Sequence, residues 1–225
     1  YILDVEGNRK ADIAKIDVQD GEDIKLTIDA NMQTKLYNQL KNDEGFFVVM
    51  HPTDGALLAL VSTPSYDPND FVLGMSTEKW NSIKNNEAKP MLVRYLQSYI
   101  PGSTFKPIAA YGPAFELGVS YPAKGIDDTA VNINGYRPTN WYGYYNGYVT
   151  ARYAIEQSMN IPAVKTLQSV DMNYAFRFAT NMGITTLEQS NKNLSLSLGS
   201  CNVKVIDMAA AYATMANGGV YTEPK

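Results

Sequence analysis

Only one stretch of this chain carries an unambiguous signal for paired strands, and it limits what the rest can be. Residues 45–63, GFFVVMHPTDGALLALVST, hold two apolar runs, Phe46 to Met50 and Ala56 to Ser62, joined by His-Pro-Thr-Asp-Gly. Asp54-Gly55 tolerates the backbone angles of a tight reversal, so the stretch predicts a β-hairpin. Pro64 and Pro68 remove ladder donors and end the second strand. A two-stranded sheet is marginal in water by itself. The hairpin therefore needs other elements to bury it, and the remaining sequence offers mostly helices.

Asp29 can cap a helix whose apolar positions Met32, Leu36, Tyr37 and Leu40 recur at helical spacing, after a short alternating strand KLTID at 25–29. Residues 76–98 are helix-compatible. Residues 104–117 read as a helix interrupted by Gly112-Pro113 and closed by Gly118. Thr150 caps ARYAIEQS, and NIPAVKTLQSV begins another helix with Pro162 in its first turn. Further helices are expected at 172–182 and 202–217, the last ended by Asn217-Gly218-Gly219. No further strong strands are predicted. Residues 1–24 are polar, with VEGN and QDGED as turns between short strands; they read as a linker or the end of a preceding module, leaving 25–225 as the main domain. The expected class is α/β in the α+β sense: a helical subdomain with an antiparallel sheet.

Composition removes several kinds of chemistry. The net charge is −4, so no basic field recruits nucleic acid. No run of about 18 apolar residues is present, so a membrane anchor would lie outside these residues. One histidine, His51, and one cysteine, Cys201, leave no internal disulfide, no His/Cys metal site and no histidine-based triad to expect. No cofactor is expected, and a general base would be Lys, Asp or Glu.

The reactive candidate is PGSTFKP, Pro101 to Pro107. If a helix starts at Ser103 or Thr104, Ser103 and Lys106 share one face a single turn apart. The helix start favours a nearby oxyanion. A desolvated Lys106 could take the serine proton, and Gly102 lets the backbone approach a substrate. Taken alone, the stretch favours a plain helix cap. A second element changes the balance. Ser158-Met159-Asn160 falls where one helix ends and the next begins, 55 positions after Ser103. Its hydroxyl and amide could relay a proton or bind a carbonyl.

Ser-x-x-Lys followed by Ser-x-Asn resembles the signature of penicillin-binding proteins and serine β-lactamases. LTIDANMQ, the hairpin HPTDGALLALVSTPSYDPN, VTARYAIEQSMNIPAVK and MAAAYATMANGGVYTEP also look like stretches of high-molecular-mass penicillin-binding proteins, from about residue 24 onward. The resemblance implies a penicillin-binding transpeptidase fold and a D,D-transpeptidase that cross-links peptidoglycan stem peptides ending in D-Ala-D-Ala. It implies acylation by β-lactam antibiotics, a place on the extracytoplasmic face of the bacterial membrane, and contacts with other cell-wall synthesis proteins. By resemblance Ser103 is the acylated nucleophile, Lys106 its proton acceptor, Ser158 part of the proton relay and Asn160 a ligand of the substrate amide. A β-lactam sensor and a serine β-lactamase use the same Ser-x-x-Lys site and are the alternatives; LTIDANMQ and ANGGVYTEP look like the biosynthetic enzymes instead. The family's third element, Lys-Thr-Gly or Lys-Ser-Gly, is absent from these 225 residues. The resemblance thus implies a C-terminally incomplete domain with only the first hairpin of the family's sheet, impaired as a fragment.

NGYRPTNW and GYVT resemble class A enzymes, whereas the hairpin and STPSYD resemble class B, the subclass expected here. The Tyr- and Trp-rich stretch 134–148 reads as a packed aromatic loop or a cleft lining. His51 is expected to be structural and Cys201 a buried, inert thiol.

Overall fold

The computed structural model describes residues 2–11 and 19–225. Strands β1 (Ile2–Leu3) and β2 (Arg9–Ala11) pair around a turn that Asp4 holds by accepting from the N–H groups of Glu6 and Asn8. Residues 19–23 of the second expected turn have no regular structure, and the strand expected before them falls outside the described residues. Helix α1 (Ala30–Leu40) begins where Asp29 accepts from the N–H groups of Asn31 and Met32.

The hairpin forms as the Asp-Gly turn dictates. Strands β3 (Gly45–Met50) and β4 (Leu57–Thr63) pair antiparallel from Gly45 opposite Thr63 to Met50 opposite Leu57. The outer edge of β4 is closed without another long strand. Gln33 of α1 donates from Nε2 to Leu60 O (2.6 Å) and accepts the Leu60 N–H at Oε1 (2.8 Å), so its amide imitates a paired strand. The expected strand at 25–29 does not form. Thr27 and Asp29 each give β4 one bond, to Leu57 O and Leu58 O, while the Leu57 N–H goes to Lys225 O. The outer edge of β3 has no backbone partner among the described residues.

Helices α2 (Asn69–Leu73) and α3 (Thr77–Lys84) follow. The helix-compatible stretch 76–98 is helical only to Lys84. Lys89 takes a positive φ of 47°, and Pro90 brings no N–H and disfavours a helical residue before it. The chain then makes a short 3₁₀ turn, Arg94–Leu96, and strand β5 (Ser98–Tyr99).

The segment around Ser103 is helical but not one α-helix. Pro107 has no N–H to give Ser103 O, which accepts the Lys106 N–H instead and closes a 3₁₀ turn, Gly102–Phe105. A π-helical turn, Pro107–Tyr111, leads into α4 (Gly112–Glu116). Phe105, Ile108, Ala109, Ala110, Tyr111 and Ala114 are all buried, so the segment bearing the candidate nucleophile is the central rod of the core.

Strands β6 (Gly125–Asp128) and β7 (Gly147–Thr150) pair antiparallel and clip together the two ends of the aromatic loop, a ladder the sequence reading missed. Helices α5 (Ala151–Glu156), α6 (Asn160–Gln168) and α7 (Met172–Asn181) come next. Strand β8 (Val203–Lys204) pairs with β5 and runs into α8 (Val205–Ala216). Ala154, Ala163, Leu167, Ala175, Ala179 and Leu196 close the core around the central rod. Alanines let backbones approach closely, and each large apolar side chain buried here contributes about 1.5–3 kcal/mol. At Gly112 a Cβ would sit 2.8 Å from the Phe178 ring, so only glycine admits this approach to α7. The fold is mixed: a helical body with small antiparallel sheets at its margin. No helix among the described residues is long and apolar enough to cross a membrane.

Candidate active site

The four residues picked from the sequence lie on two short segments, 103–106 and 158–160. Ser103 and Lys106 sit on the 3₁₀ turn and its end, Ser158 in the turn between α5 and α6, and Asn160 at the start of α6. The structure joins three of them directly. Lys106 Nζ donates to Ser158 O (2.6 Å), Ser158 Oγ (3.1 Å) and Asn160 Oδ1 (2.8 Å). These acceptors occupy all three N–H bonds of an ammonium, and none of them is charged.

Lys106 is 2% exposed. Burial favours the neutral amine and brings its pKa from the ordinary 10.5 to about 8. A substantial fraction is therefore unprotonated just above neutrality, the condition a lysine base requires.

Ser103 is exposed, and its hydroxyl has no hydrogen-bond partner among the described residues. It stands in the first turn of the helical rod, where N–H groups lack helical acceptors. The turn is braced from two sides. Gly199, in the left-handed region at φ 72°, packs so closely that a Cβ there would meet Gly102 O and lie 2.6 Å from Gly102 N. The Tyr212 hydroxyl donates to Thr104 O at 2.8 Å.

Ser158 also carries backbone strain, with φ at 51°. A non-glycine residue there costs about 1–2 kcal/mol. The conformation ends α5 and turns the Ser158 carbonyl toward the lysine. Asn160 Nδ2 donates to Thr139 O (2.8 Å), which leaves its oxygen for Lys106. Thr139 and Gly199 escaped the sequence reading; a loop carbonyl and a close backbone approach have no sequence signature.

Beside Ser103, between β3, β5 and α8, runs an apolar trough of about 690 Å³ lined by Phe46, Tyr99, Pro101, Thr104, Met208 and Tyr212 among others. The reactive groups do not line it. Aromatic side chains of the 134–148 loop are divided: Tyr142 packs inward, while Trp141 is largely exposed and its Nε1–H reaches Gln157 O at 3.4 Å, next to Ser158. His51 is on the hairpin turn, bonded to Asp54 and Thr53 and far in sequence from the reactive groups. Cys201 is 4% exposed, and burial pushes its thiol up to about 11.

Residues 45–225 match the model of the penicillin binding protein transpeptidase domain. The chain is 34% identical over 187 residues to penicillin-binding protein 3 of Bacillus subtilis, covering 82% of this chain and 26% of that protein. It is 31% identical over 197 residues to the peptidoglycan D,D-transpeptidase MrdA of Acinetobacter baumannii, covering 83% and 26%. Among solved structures it superposes on Pseudomonas aeruginosa PBP2 in complex with WCK 5153 with a TM-score of 0.80 and 26% identity, over 88% of this chain and 52% of that one. A ceftriaxone acyl-enzyme of penicillin-binding protein A from M. tuberculosis, at 24% identity and a TM-score of 0.77, shares the fold over 87% of this chain and 51% of that one. The chain spans about a quarter of the length of these curated relatives.

Proposed function

Because the chain belongs to the penicillin-binding protein transpeptidase family, we propose that it is the acyl-transfer unit of a peptidoglycan D,D-transpeptidase, with Ser103 as nucleophile and Lys106 as its base. The observation that carries this reading is the buried Lys106 amine, held by Ser158 and Asn160 one helical turn from an exposed serine.

The neutral Lys106 takes the Ser103 proton as the serine oxygen attacks the penultimate D-Ala carbonyl of a stem peptide. The tetrahedral intermediate collapses, the C–N bond breaks, and D-Ala leaves carrying a proton relayed through Lys106 and Ser158. An amine of a neighbouring strand then attacks the acyl-serine and restores the free hydroxyl. Asn160 binds the substrate amide beside the lysine. β-Lactams enter the same path and stop at the acyl-serine. The reading places the protein at the extracytoplasmic face of the bacterial membrane among other cell-wall synthesis proteins. It takes residues 25–225 as the acyl-transfer unit and 1–24 as the link before it, and assigns class B.

The test is labelling of the full-length protein with a fluorescent penicillin, read by intact mass and peptide mapping. One adduct on the Ser103 peptide, lost in Ser103→Ala, is expected. An unlabelled wild type, or labelling that survives Ser103→Ala, overturns the reading.

A further inference from the structure

Helix α6 starts at Asn160, but the residue before it, Met159, has no side chain able to cap it. The cap arrives from another segment. Asn140 Oδ1 accepts from the N–H groups of both Asn160 (3.1 Å) and Ile161 (3.2 Å). Asn140 is 5% exposed and is itself held, its Nδ2 donating to Asp128 Oδ1 (2.7 Å) and Tyr144 O (3.2 Å). Asp128 is wholly buried. Its second oxygen accepts from the Asn146 N–H (2.9 Å), the Asn146 side-chain amide (3.2 Å) and the Tyr142 hydroxyl (3.4 Å). No cation touches this carboxylate among the described residues; Lys165 goes to the neighbouring Asp127.

A buried carboxylate satisfied only by neutral donors is expensive. An apolar residue would fill the space without that cost, but it could not fix which end of the Asn140 amide faces α6. With Asp128 in place, only the nitrogen of Asn140 can face the carboxylate, so its oxygen must face the helix. The adjacent Thr139 carbonyl fixes the Asn160 side chain in the same way, by taking Nδ2 and leaving Oδ1 for Lys106. The chain of contacts is continuous from Asp128 to the lysine.

We propose that Asp128 and Asn140 are positioning residues of the acyl-transfer site: the carboxylate orients Asn140, Asn140 seats the start of α6, and that seat presents Asn160 to Lys106. The inference rests on the proposed function for its kinetic test, but its geometric test is independent of it. A loop that only tied down its own aromatic side chains would not alter the titration of Lys106.

The experiment uses the full-length protein with ¹³C-labelled lysine, assigned by Lys106→Met, together with pre-steady-state acylation by a chromogenic penicillin. In Asn140→Ala, the first-order acylation step falls at least tenfold while the dissociation constant of the preceding complex changes less than threefold. Asn140→Ala moves no charge, and its Lys106 midpoint leaves the wild-type value because Asn160 Oδ1 no longer holds the ammonium in place. The isosteric Asp128→Asn, whose oxygen stays with the Asn146 and Tyr142 donors, turns an amide nitrogen on Asn140 Nδ2 and unfixes the cap, so its acylation step falls as well. The proposal is overturned if either variant acylates like the wild type, if neither folds, or if the Lys106 midpoint of Asn140→Ala equals that of the wild type. Should the wild type not be acylated, the functional reading falls, and the Lys106 titration still decides this one.

Discussion

Lys106 and Ser158 are joined twice, through the Ser158 carbonyl at 2.6 Å and its hydroxyl at 3.1 Å, and the serine that accepts both bonds sits at a positive φ of 51°. The strain at Ser158 and the burial of Lys106 are two sides of one arrangement. The left-handed turn brings the carbonyl to the lysine, and the lysine's bonds offset the cost of the turn.

If neutral Lys106 is the base, acylation of Ser103 rises with pH along a limb centred near 8. Lys106→Met loses that limb and slows acylation by roughly 10²–10⁴. Rates measured from pH 6 to 10 decide it.

The same group makes stability pH-dependent. A lysine whose folded pKa is about 8 against an ordinary 10.5 binds fewer protons folded than unfolded between those values, so it adds stability as pH rises through that window. Denaturant unfolding of wild type minus Lys106→Met, compared at pH 7.5 and 10, should show a difference that grows toward high pH. A flat difference would show that the amine is not desolvated.

Ser158 separates strain from chemistry. Ser158→Gly removes the left-handed penalty and Ser158→Ala keeps it, while both lose the hydroxyl and retain the carbonyl. Glycine is therefore expected to be the more stable of the two by about 1 kcal/mol, with acylation slowed in both. Calorimetric melting midpoints check the order.

At Gly199, alanine is doubly wrong: the residue holds φ at 72°, and its Cβ would enter the backbone at Gly102, beside the candidate nucleophile. Gly199→Ala should destabilise by more than about 1 kcal/mol and slow acylation beyond what the stability loss explains. Acylation measured well below the melting midpoint separates the two effects.

Cys201 should resist iodoacetamide in the native protein at pH 7.5 and react after unfolding, since burial shields the thiol and pushes it up to about 11. Alkylation followed by intact mass reads this directly.

The local instructions were legible in the amino-acid order. Asp54-Gly55 specified the hairpin, Asp29 and Thr150 capped their helices, and the helices around the core follow their apolar spacing. The four residues singled out at 103, 106, 158 and 160 were visible as two short motifs. Part of what failed was set by longer-range competition. The strand expected at 25–29 does not form, because its place along β4 is shared by a glutamine side chain and Lys225. The helix-compatible stretch 76–98 is helical only to Lys84, short of the local break at Lys89 and Pro90, and the β6–β7 ladder was hidden inside an aromatic loop.

The sequence by itself determined which residues could react, because side-chain chemistry and one-turn spacing are local properties. Only the tertiary structure decided that Lys106 is dry, that Ser158 is strained toward it, and that a carboxylate at Asp128 orients the amide that seats Asn160. Desolvation and hydrogen-bond direction depend on groups brought together from distant parts of the chain, and no spacing rule encodes them.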